Sequence, residues 1–313
     1  MTEQFATADI RRDRFGRPLV VPPGGGPRVA YRRTTTFVGA LEDTYALQQW
    51  KQRQVAIGLG QRPDLVLAAA ATDPEDKDRL NEIVEKATEH ATASATTGTS
   101  LHTLAERLDR GQKLGAVPEP YPADLEAYEK ATAAIEWTDI ETFRVLDAWR
   151  VAGTPDRVGR INGELVVADI KTGSVDYPHK MAMQLAVYAR SLPYSVSTDA
   201  RGPAQTGLNL NYGIIIHLPA GEGRCRLHRI NIAKGWDACL LAKRVWDWRA
   251  VKGLLEPVDE ISDLAPTLVD LAHGAATIED LREVWRQAKH ADALTPDFLA
   301  ACEERRAQFA ATA

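Results

Sequence analysis

The chain has 313 residues, of which 44% are hydrophobic and 26% charged, and its net charge at pH 7 is −5; this composition is typical of a globular protein with a sizeable core. No run approaches the roughly 18 apolar residues of a transmembrane helix, and the first residues lack the apolar core of a signal peptide, so we expect a cytoplasmic protein with no membrane segment. Three widely spaced cysteines exclude a four-cysteine zinc or iron–sulfur site, so any metal must use oxygen or imidazole ligands.

Positive charge is concentrated near the N-terminus. Residues 1–62 contain ten Lys or Arg and five Asp or Glu, which leaves +5 in this segment and −10 in the rest of the chain. A basic segment on an acidic body can steer a polyanion, and a solvated tail has the same composition.

A helical region is predicted after an irregular lead-in. Residues 1–30 are polar and then rich in Gly and Pro, so they cannot bury enough apolar surface to fold alone. Apolar periodicity then predicts three helices, over about 41–58, 74–92 and 100–111. In the third helix, His102, Glu106 and Asp109 recur along one face.

The segment after Trp137 is predicted to form the sheet. Its residues are rich in β-branched and aromatic types, and Asn162-Gly163 between two apolar runs is typical of a two-residue hairpin turn. The third predicted strand is apolar enough to be central. In chain order, the pattern predicts three antiparallel strands, a helix and two further strands, over about 141–149, 151–161, 164–171, 178–190, 208–217 and 224–232.

These elements predict an α/β fold with a central mixed β-sheet flanked by helices and with helical N- and C-terminal additions. The main domain is expected to span residues 31–250. Helix-start signals at Thr277 and Thr295 predict a helical hairpin over residues 264–313.

Asp156, Asp169 and Lys171 are the candidate catalytic residues. Asp169 and Lys171 leave the same face of the third predicted strand, and the hairpin turn brings position 156 back beside position 169. Two neighbouring carboxylates repel one another unless they share a proton or bind a divalent cation. Oxygen-rich sites of this kind suit Mg²⁺ or Mn²⁺, and an adjacent lysine can orient a water molecule or stabilise a phosphorane-like transition state.

Four short motifs follow one another around these residues. They are a glycine–histidine helix, a Gly-x-x-Asp strand, an Asp-x-Lys strand and a Gln-x-x-x-Tyr helix, represented by Gly98 and His102, Gly153 and Asp156, Asp169 and Lys171, and Gln184 and Tyr188. In this order they resemble the RecB-type branch of the PD-(D/E)XK nuclease superfamily, over about residues 95–235. The resemblance implies a restriction-endonuclease-like core. The length and the segment YRRTTTFVGALEDTYALQQWKQR also resemble bacteriophage-encoded exonucleases of this branch.

The resemblance also implies individual roles. The implied metal ligands are His102, Asp156, Asp169 and the backbone carbonyl of Ile170. Lys171 would be the catalytic lysine, and Gln184 and Tyr188 would help to place the DNA strand. Two carboxylates remain open, because Glu106 is either a water-mediated ligand or a partner of Arg110, and Glu141 either reaches the site or faces solvent.

The cysteines mark a departure from part of this branch. Relatives associated with CRISPR adaptation carry four cysteines for an iron–sulfur cluster, whereas this chain has Cys225, Cys239 and Cys302. We therefore expect no iron–sulfur cluster. The departure favours a phage-type exonuclease over an adaptation nuclease.

The predicted activity is that of a Mg²⁺- or Mn²⁺-dependent DNA exonuclease, in which a metal-activated water attacks the phosphodiester in line. The candidate phosphate contacts are Arg32, Arg33, Lys51 and Arg53, for which ordinary solvated charge is the alternative. No aromatic–basic interleaving marks a sequence-reading module, so we expect contacts to the DNA backbone.

The resemblance implies a biological setting, namely phage recombination or replication in the host cytoplasm beside a single-strand annealing protein. Two other functions stay open. One is a structure-specific endonuclease, and the other is a DNA-binding or assembly module with a degenerate nuclease site.

Overall fold

The computed structural model describes residues 10–255 and 266–312, and the chain divides into two compact units, residues 1–250 and residues 251–313. Residues 1–9 of the predicted lead-in, and residues 264, 265 and 313 of the predicted C-terminal hairpin, lie outside the described residues. Among the helices that are described, none is both long and apolar enough to cross a membrane.

The described part of the first unit contains a five-stranded sheet, a four-stranded sheet and a two-stranded sheet. The strands in chain order are β1 (Leu19–Val20), β2 (Val29–Ala30), β3 (Arg32–Arg33), β4 (Glu136–Ile140), β5 (Arg144–Leu146), β6 (Val151–Gly153), β7 (Arg157–Ile161), β8 (Glu164–Lys171), β9 (Leu192–Pro193), β10 (Tyr212–His217) and β11 (Arg226–Asn231).

The helices surround these sheets or form the second unit. In the first unit they are α1 (Thr34–Val38), α2 (Tyr45–Gln61), α3 (Pro63–Ala71), α4 (Lys77–Asp109), α5 (Tyr121–Thr132), α6 (His179–Ala189) and α7 (Ile232–Trp248). In the second unit they are α8 (Leu268–Gly274), α9 (Ile278–His290) and α10 (Pro296–Thr312).

The five-stranded sheet has the order β11-β10-β8-β7-β4, so β8 is its central strand, as its apolar sequence predicts. The β8–β10 pair is parallel and the other pairs are antiparallel. Val167 of β8 packs in a cluster with α6 and α7, whereas Val166 and Ala168 pack with Ala105 of α4 and Tyr128 of α5. Helices therefore cover both faces of a mixed sheet, which confirms the predicted fold class.

The predicted strand over residues 151–161 is wrong in one respect that matters for the site. It divides into β6, which joins the four-stranded sheet β3-β6-β5-β9, and β7, which joins the five-stranded sheet. Pro155 stands in the break, where it lacks the N–H that a continuous ladder would require. The strand predicted over 141–149 is shorter than expected, because only β5 lies in this range and Asp147–Trp149 form a 3₁₀ helix. The strand β4 lies before this range, and Glu141 separates it from β5 at a φ of 51°.

The two helices predicted over 74–92 and 100–111 form one helix, α4, of 33 residues. Seven of the ten residues in the intervening sequence ATASATTGTS are Ser, Thr or Gly, which have lower helix propensity than Ala or Leu, and this is why the pattern predicts a break. Ser and Thr hydroxyls donate back to carbonyls one turn earlier, from Ser100 to Thr96 at 3.0 Å and from Thr103 to Thr99 at 3.1 Å. Their hydrogen-bonding capacity is used within the helix, so it does not compete with helix formation.

Residues 19–30 lie within the predicted irregular lead-in, yet they contain the β1–β2 pair, because Val20 is buried against Phe143 and Tyr194. The second unit has three described helices where the sequence predicts a hairpin, since α8 begins at its own capping box, formed by Thr267 and Asp270. The predicted capping box of Thr277 is present at the start of α9. The core of this unit lies around the buried Phe298.

Candidate active site

A tight hairpin aligns the two candidate aspartates. Asn162 and Gly163 both have positive φ, 51° and 86°, as the turn type expected for Asn-Gly requires. The β7–β8 register pairs Arg157 with Ala168, so the next position outward sets Asp156 beside Asp169. Asp156 precedes β7 and follows Pro155, which leaves its side chain at the open end of the ladder.

Asp156 is held by three neighbours. Its Oδ2 accepts a hydrogen bond of 2.6 Å from the N–H of Ile170 and lies 3.4 Å from Nδ1 of His102. Its backbone carbonyl accepts a 2.7 Å hydrogen bond from Nη1 of Arg157. Burial alone would raise the pKa of Asp156, but His102 and the Ile170 N–H outweigh it, so this pKa is lowered.

Asp169 and Lys171 form an ion pair at the end of β8. Asp169 is 3% exposed, and the Lys171 ammonium contacts its Oδ2, while Nε2 of Gln184 lies 3.3 Å from its Oδ1. Burial and the negative charge of Asp156 raise the pKa of Asp169 to about 6. Burial lowers the pKa of Lys171, but the charge of Asp169 outweighs it and the net shift is upward.

His102 reaches the aspartates because α4 passes close to the end of β8. A Cβ on Gly98 would lie 2.6 Å from Oγ1 of Thr172, the residue after Lys171, so only glycine permits this approach. His102 follows Gly98 by about one helical turn and thus lies on the same side of α4. Burial opposes protonation of His102, but its contact with Asp156 outweighs burial and raises its pKa.

Gln184 and Tyr188 lie beneath Asp169. The Gln184 amide bridges Asp169 Oδ1 and the Tyr188 hydroxyl, which is 3.2 Å away. Tyr188 is only 3% exposed, so the contact with DNA predicted for it is not open to it in this conformation, whereas Gln184 is half-buried. A Cβ on Gly153 would lie 2.9 Å from the Tyr188 ring, which explains the glycine of the Gly-x-x-Asp motif.

The donor set fits a divalent cation. In the part of the chain that the structure describes, no three His, Cys, Asp or Glu side chains are grouped tightly enough to hold a metal by themselves. The N–H and C=O of a residue in a strand face the same side, so the Ile170 carbonyl faces Asp156 and can complete the set. Two mutually repelling carboxylates, one with its pKa raised, and few protein ligands match Mg²⁺ or Mn²⁺, which retain water in their coordination shells.

A buried arginine outside the four motifs links the backbone of Asp156 to neighbouring helices and strands. The Arg157 side chain is fully buried, and its Nε donates to Oδ2 of Asp109 at 2.5 Å. Asp109 also accepts hydrogen bonds from the Tyr128 hydroxyl and the Trp137 indole. This network joins α4, α5, β4 and β7, and the only sequence signal for it was the face shared by His102 and Asp109.

The two open carboxylates occupy different surroundings. Glu106 pairs with Arg110 at 2.9 Å, which is the alternative partner that the sequence suggests. Glu141 Oε1 lies 3.7 Å from Arg157 Nη1. Burial and the charge of Asp156 raise the pKa of Glu141 to about 8, so this carboxyl group borders the site.

The candidate phosphate contacts lie apart from the carboxylates. Arg33 in β3 and both Lys51 and Arg53 on α2 are exposed. Arg32 is half-buried and stacks on the Trp246 ring, 3.7 Å from its centroid. Among the described residues, none of the four contacts Asp156 or Asp169.

An open polar groove of about 880 Å³ begins at the end of β8. Its lining residues include Thr172, which follows Lys171, as well as His217 and Arg224. His217 of β10 lies opposite Lys171 in the sheet register. The groove is large enough for a nucleotide unit and begins one residue beyond Lys171.

The chain matches the model of a known protein family. The model of the PD-(D/E)XK nuclease superfamily matches residues 65–304, a span that contains all four motifs and the hairpin. No curated protein matches the chain.

Proposed function

Because the chain belongs to the PD-(D/E)XK nuclease superfamily, we propose that it is a metal-dependent deoxyribonuclease that hydrolyses phosphodiester bonds at DNA ends. The observation that carries the proposal is the convergence of His102, Asp156, Asp169 and Lys171 at the open end of the β7–β8 hairpin. Proximity of two carboxylates, an imidazole and an ammonium beside a groove is the arrangement that phosphodiester hydrolysis requires.

Asp156, Asp169, His102 and the Ile170 carbonyl would hold Mg²⁺ or Mn²⁺. When bound, such a cation polarises the phosphate and lowers the pKa of water. In hydrolysis, a water oxygen forms a bond to phosphorus and the water proton passes to solvent or to a base. The bond from phosphorus to the leaving sugar oxygen breaks, and this oxygen takes up a proton from solvent to become a hydroxyl.

The protein side chains contribute position and charge. The Lys171 ammonium stays protonated beside Asp169, where it can stabilise the negative charge that develops on a bound phosphate. Gln184 orients Asp169, and Arg157 holds the backbone of Asp156. These contacts fix both carboxylates before substrate binds, so less reorganisation is needed during reaction.

Action at DNA ends is supported by the resemblance to phage exonucleases and by the lack of a sequence-reading motif. The phage setting, in recombination or replication with a single-strand annealing protein, rests on that resemblance alone. Covalently closed circular DNA separates the exonuclease from the structure-specific endonuclease, because an obligate exonuclease leaves circles intact.

The test is digestion of end-labelled linear DNA with Mg²⁺, with Mn²⁺ and with EDTA. We expect cleavage of linear DNA only with a cation, no cleavage of closed circles, and a loss of at least 100-fold in Lys171→Ala, the lower end of what removal of one group that stabilises transition-state charge costs. Asp169→Asn should be equally impaired.

Folding and DNA binding of the Lys171→Ala protein should be unchanged, as judged by circular dichroism and gel shift. Arg160→Gln, which alters an exposed side chain at the far end of the β7–β8 hairpin, is the control. Cleavage by Lys171→Ala at the wild-type rate would refute the mechanism, and cleavage of closed circles would replace the exonuclease with the endonuclease.

A further inference from the structure

An exposed aromatic ring stands at the tip of a small N-terminal hairpin. Arg12 and Pro18 form an antiparallel bridge, and the Asp13 N–H donates to the Arg17 carbonyl at 3.0 Å. The Asp13 carboxylate accepts hydrogen bonds from the N–H groups of Phe15 and Arg17. These hydrogen bonds fix the backbone at Phe15, while its side chain is 62% exposed.

Two arginines flank this ring. The guanidinium carbons of Arg14 and Arg17 lie 4.7 and 5.3 Å from the centroid of Phe15. Planar guanidinium groups beside an exposed ring can bind phosphate while a base stacks nearby.

A second aromatic–arginine group lies beside the hairpin. Trp246 is fixed by a 3.1 Å hydrogen bond from its indole N–H to the Phe37 carbonyl. The guanidinium carbons of Arg32 and Arg249 lie 3.7 and 4.9 Å from its ring centroid. The N–H of Tyr31, the residue before Arg32, donates to the carbonyl of Pro18, the residue after Arg17, at 2.8 Å, so the hairpin and the Trp246 group are neighbours. Burial and the charges of Arg17 and Arg249 lower the pKa of Arg32, as expected where positive charges are close together.

The charge of this surface is only partly neutralised by the protein. Asp13 pairs with Arg17, and Asp247 pairs with Lys243. Across residues 10–255 and 266–312, no carboxylate lies within salt-bridge distance of Arg32 or Arg249. Like charges held together in this way favour an anionic ligand.

β3 connects this surface to the candidate active site. Arg32 and Arg33 form β3, which pairs with β6. Thr34 then lies against Gly153, close to the Tyr188 ring, and Tyr188 is linked through Gln184 to Asp169. Thr34 and Tyr188 are buried, so this connection runs through the interior of the first unit.

We infer that the surface formed by Arg14, Phe15, Arg17, Arg32, Trp246 and Arg249, hereafter the Phe15 surface, binds single-stranded DNA. An exposed aromatic ring can stack on an unpaired base, whereas the bases of a duplex are already stacked on one another. The surrounding guanidinium groups would bind the phosphates. That the bound strand is a substrate of the nuclease site rests on the proposed function, but the binding itself does not.

Binding is measured by fluorescence anisotropy in EDTA, with full-length protein carrying Asp169→Asn so that no cleavage occurs. The probes are a labelled oligothymidylate and a labelled blunt hairpin duplex. We expect Phe15→Ala to weaken binding of the single strand about fivefold or more, the low end for loss of one base stack, and to change binding of the duplex less than twofold. Arg249→Gln should reduce the salt dependence of log K by about 0.7, the value for one phosphate contact on a single strand.

Two controls make the test specific. Phe15→Tyr retains an aromatic ring and should bind the single strand as tightly as the protein with Phe15. Arg160→Gln removes one exposed charge elsewhere and, with Phe15 retained, should leave the affinity for the single strand unchanged. Wild-type single-strand affinity in Phe15→Ala, or equal losses for both probes, would overturn the inference.

The two proposals fail in different ways. A protein that cleaves linear DNA but binds oligothymidylate independently of Phe15 retains the proposed function and lacks the Phe15 surface. A protein that shows Phe15-dependent binding without cation-dependent cleavage retains the surface and loses the proposed function.

Discussion

Gln184 is the residue that connects the ion pair of the candidate active site to the buried core. Its amide lies 3.3 Å from Asp169 Oδ1 and 3.2 Å from the Tyr188 hydroxyl. Neither partner can move freely, because Asp169 and Tyr188 are each 3% exposed. Gln184 therefore restricts the carboxylate to one orientation, which makes it a positioning residue.

Replacement of Gln184 tests this role. We expect Gln184→Ala to lower the cleavage rate and the apparent Mn²⁺ affinity by about 10- to 100-fold, as loss of an outer hydrogen bond to a metal ligand usually does. Gln184→Glu should be more severe, because it sets a second carboxylate against Asp169. Cleavage rates over a Mn²⁺ titration provide the measurement.

His179→Ala, at the exposed start of α6, is the matched control. Unchanged cleavage and an unchanged cation requirement in Gln184→Ala would show that Asp169 keeps its orientation without this amide.

At the scale of elements, the packing of α4 on the end of β8 decides whether His102 reaches Asp156. Gly98 and Thr172 form the contact. We expect Gly98→Ala to lower the cleavage rate at least tenfold, because the new methyl group would displace α4. The free energy of unfolding should change little, since the gain in helix propensity, up to about 1 kcal/mol, offsets part of the clash.

A double variant identifies the contact as the cause. Thr172→Ala removes the hydroxyl that the new methyl group would meet, so Gly98→Ala with Thr172→Ala should recover part of the rate lost in Gly98→Ala alone. Gly60→Ala is the control, because a Cβ at this α2 position meets nothing within 4 Å. If the double variant shows no recovery, the effect of Gly98→Ala has another origin.

Local patterns predicted the strand pair of the site but not its surroundings. The alternation in β8 and the turn at Asn162-Gly163 are properties of adjacent residues, so the side-by-side placement of positions 156 and 169 followed from the sequence. The break at Pro155 was missed because Val151 and Ala152 carry a strand pattern whichever sheet they join. The continuity of α4 depends on tertiary packing of a segment with weak helix propensity, which local patterns do not contain.

Over the whole molecule, the contacts that could not be predicted join residues far apart in the chain. Trp246 and Phe15 contribute to the proposed Phe15 surface although they lie 231 positions apart, and Asp109 reaches Arg157 across 48 positions. Their sequence neighbourhoods look like ordinary solvated helix or loop. Such contacts follow from the arrangement of the sheets, so they emerge only with the three-dimensional structure.

A third network of hydrogen bonds, centred on Asp147, joins residues of the first unit that are distant in sequence. The Asp147 carboxylate accepts hydrogen bonds from the Tyr31 hydroxyl at 2.7 Å and from Arg201 at 2.6 and 3.0 Å. Arg201 also donates to the carbonyl of Val21. The network thus ties the N-terminal strands to residues more than 100 positions away.

The stability that this network contributes should depend on pH, because Asp147 can be protonated. Burial would raise the pKa of Asp147, but the hydrogen bonds from Arg201 and Tyr31 outweigh it, so the folded pKa lies below the unfolded value of about 3.9. The unfolded state therefore takes up the proton at a higher pH than the folded state. The stabilisation is fully present above about pH 5 and is lost as the pH falls through the folded pKa.

Asp147→Asn removes this titration. Hydrogen bonds to charged groups contribute about 1.5–3 kcal/mol, so we expect the variant to be about 2 kcal/mol less stable than the wild type at pH 7. The difference should shrink as the pH is lowered from 5 towards 3, because the wild-type carboxylate becomes protonated while the amide does not change. Urea unfolding of both proteins across this range measures it.

Asp237→Asn provides the reference for loss of an exposed carboxylate. Asp237 is exposed and forms no salt bridge within the part of the chain that is described, so its replacement should change the free energy of unfolding by less than about 0.5 kcal/mol at any of these pH values. A difference between wild type and Asp147→Asn that stays constant from pH 7 to pH 3 would mean that the stabilising contacts do not depend on the charge of Asp147. In that case packing around Tyr31 and Arg201, and not the ionised carboxylate, would hold the N-terminal strands to the rest of the first unit.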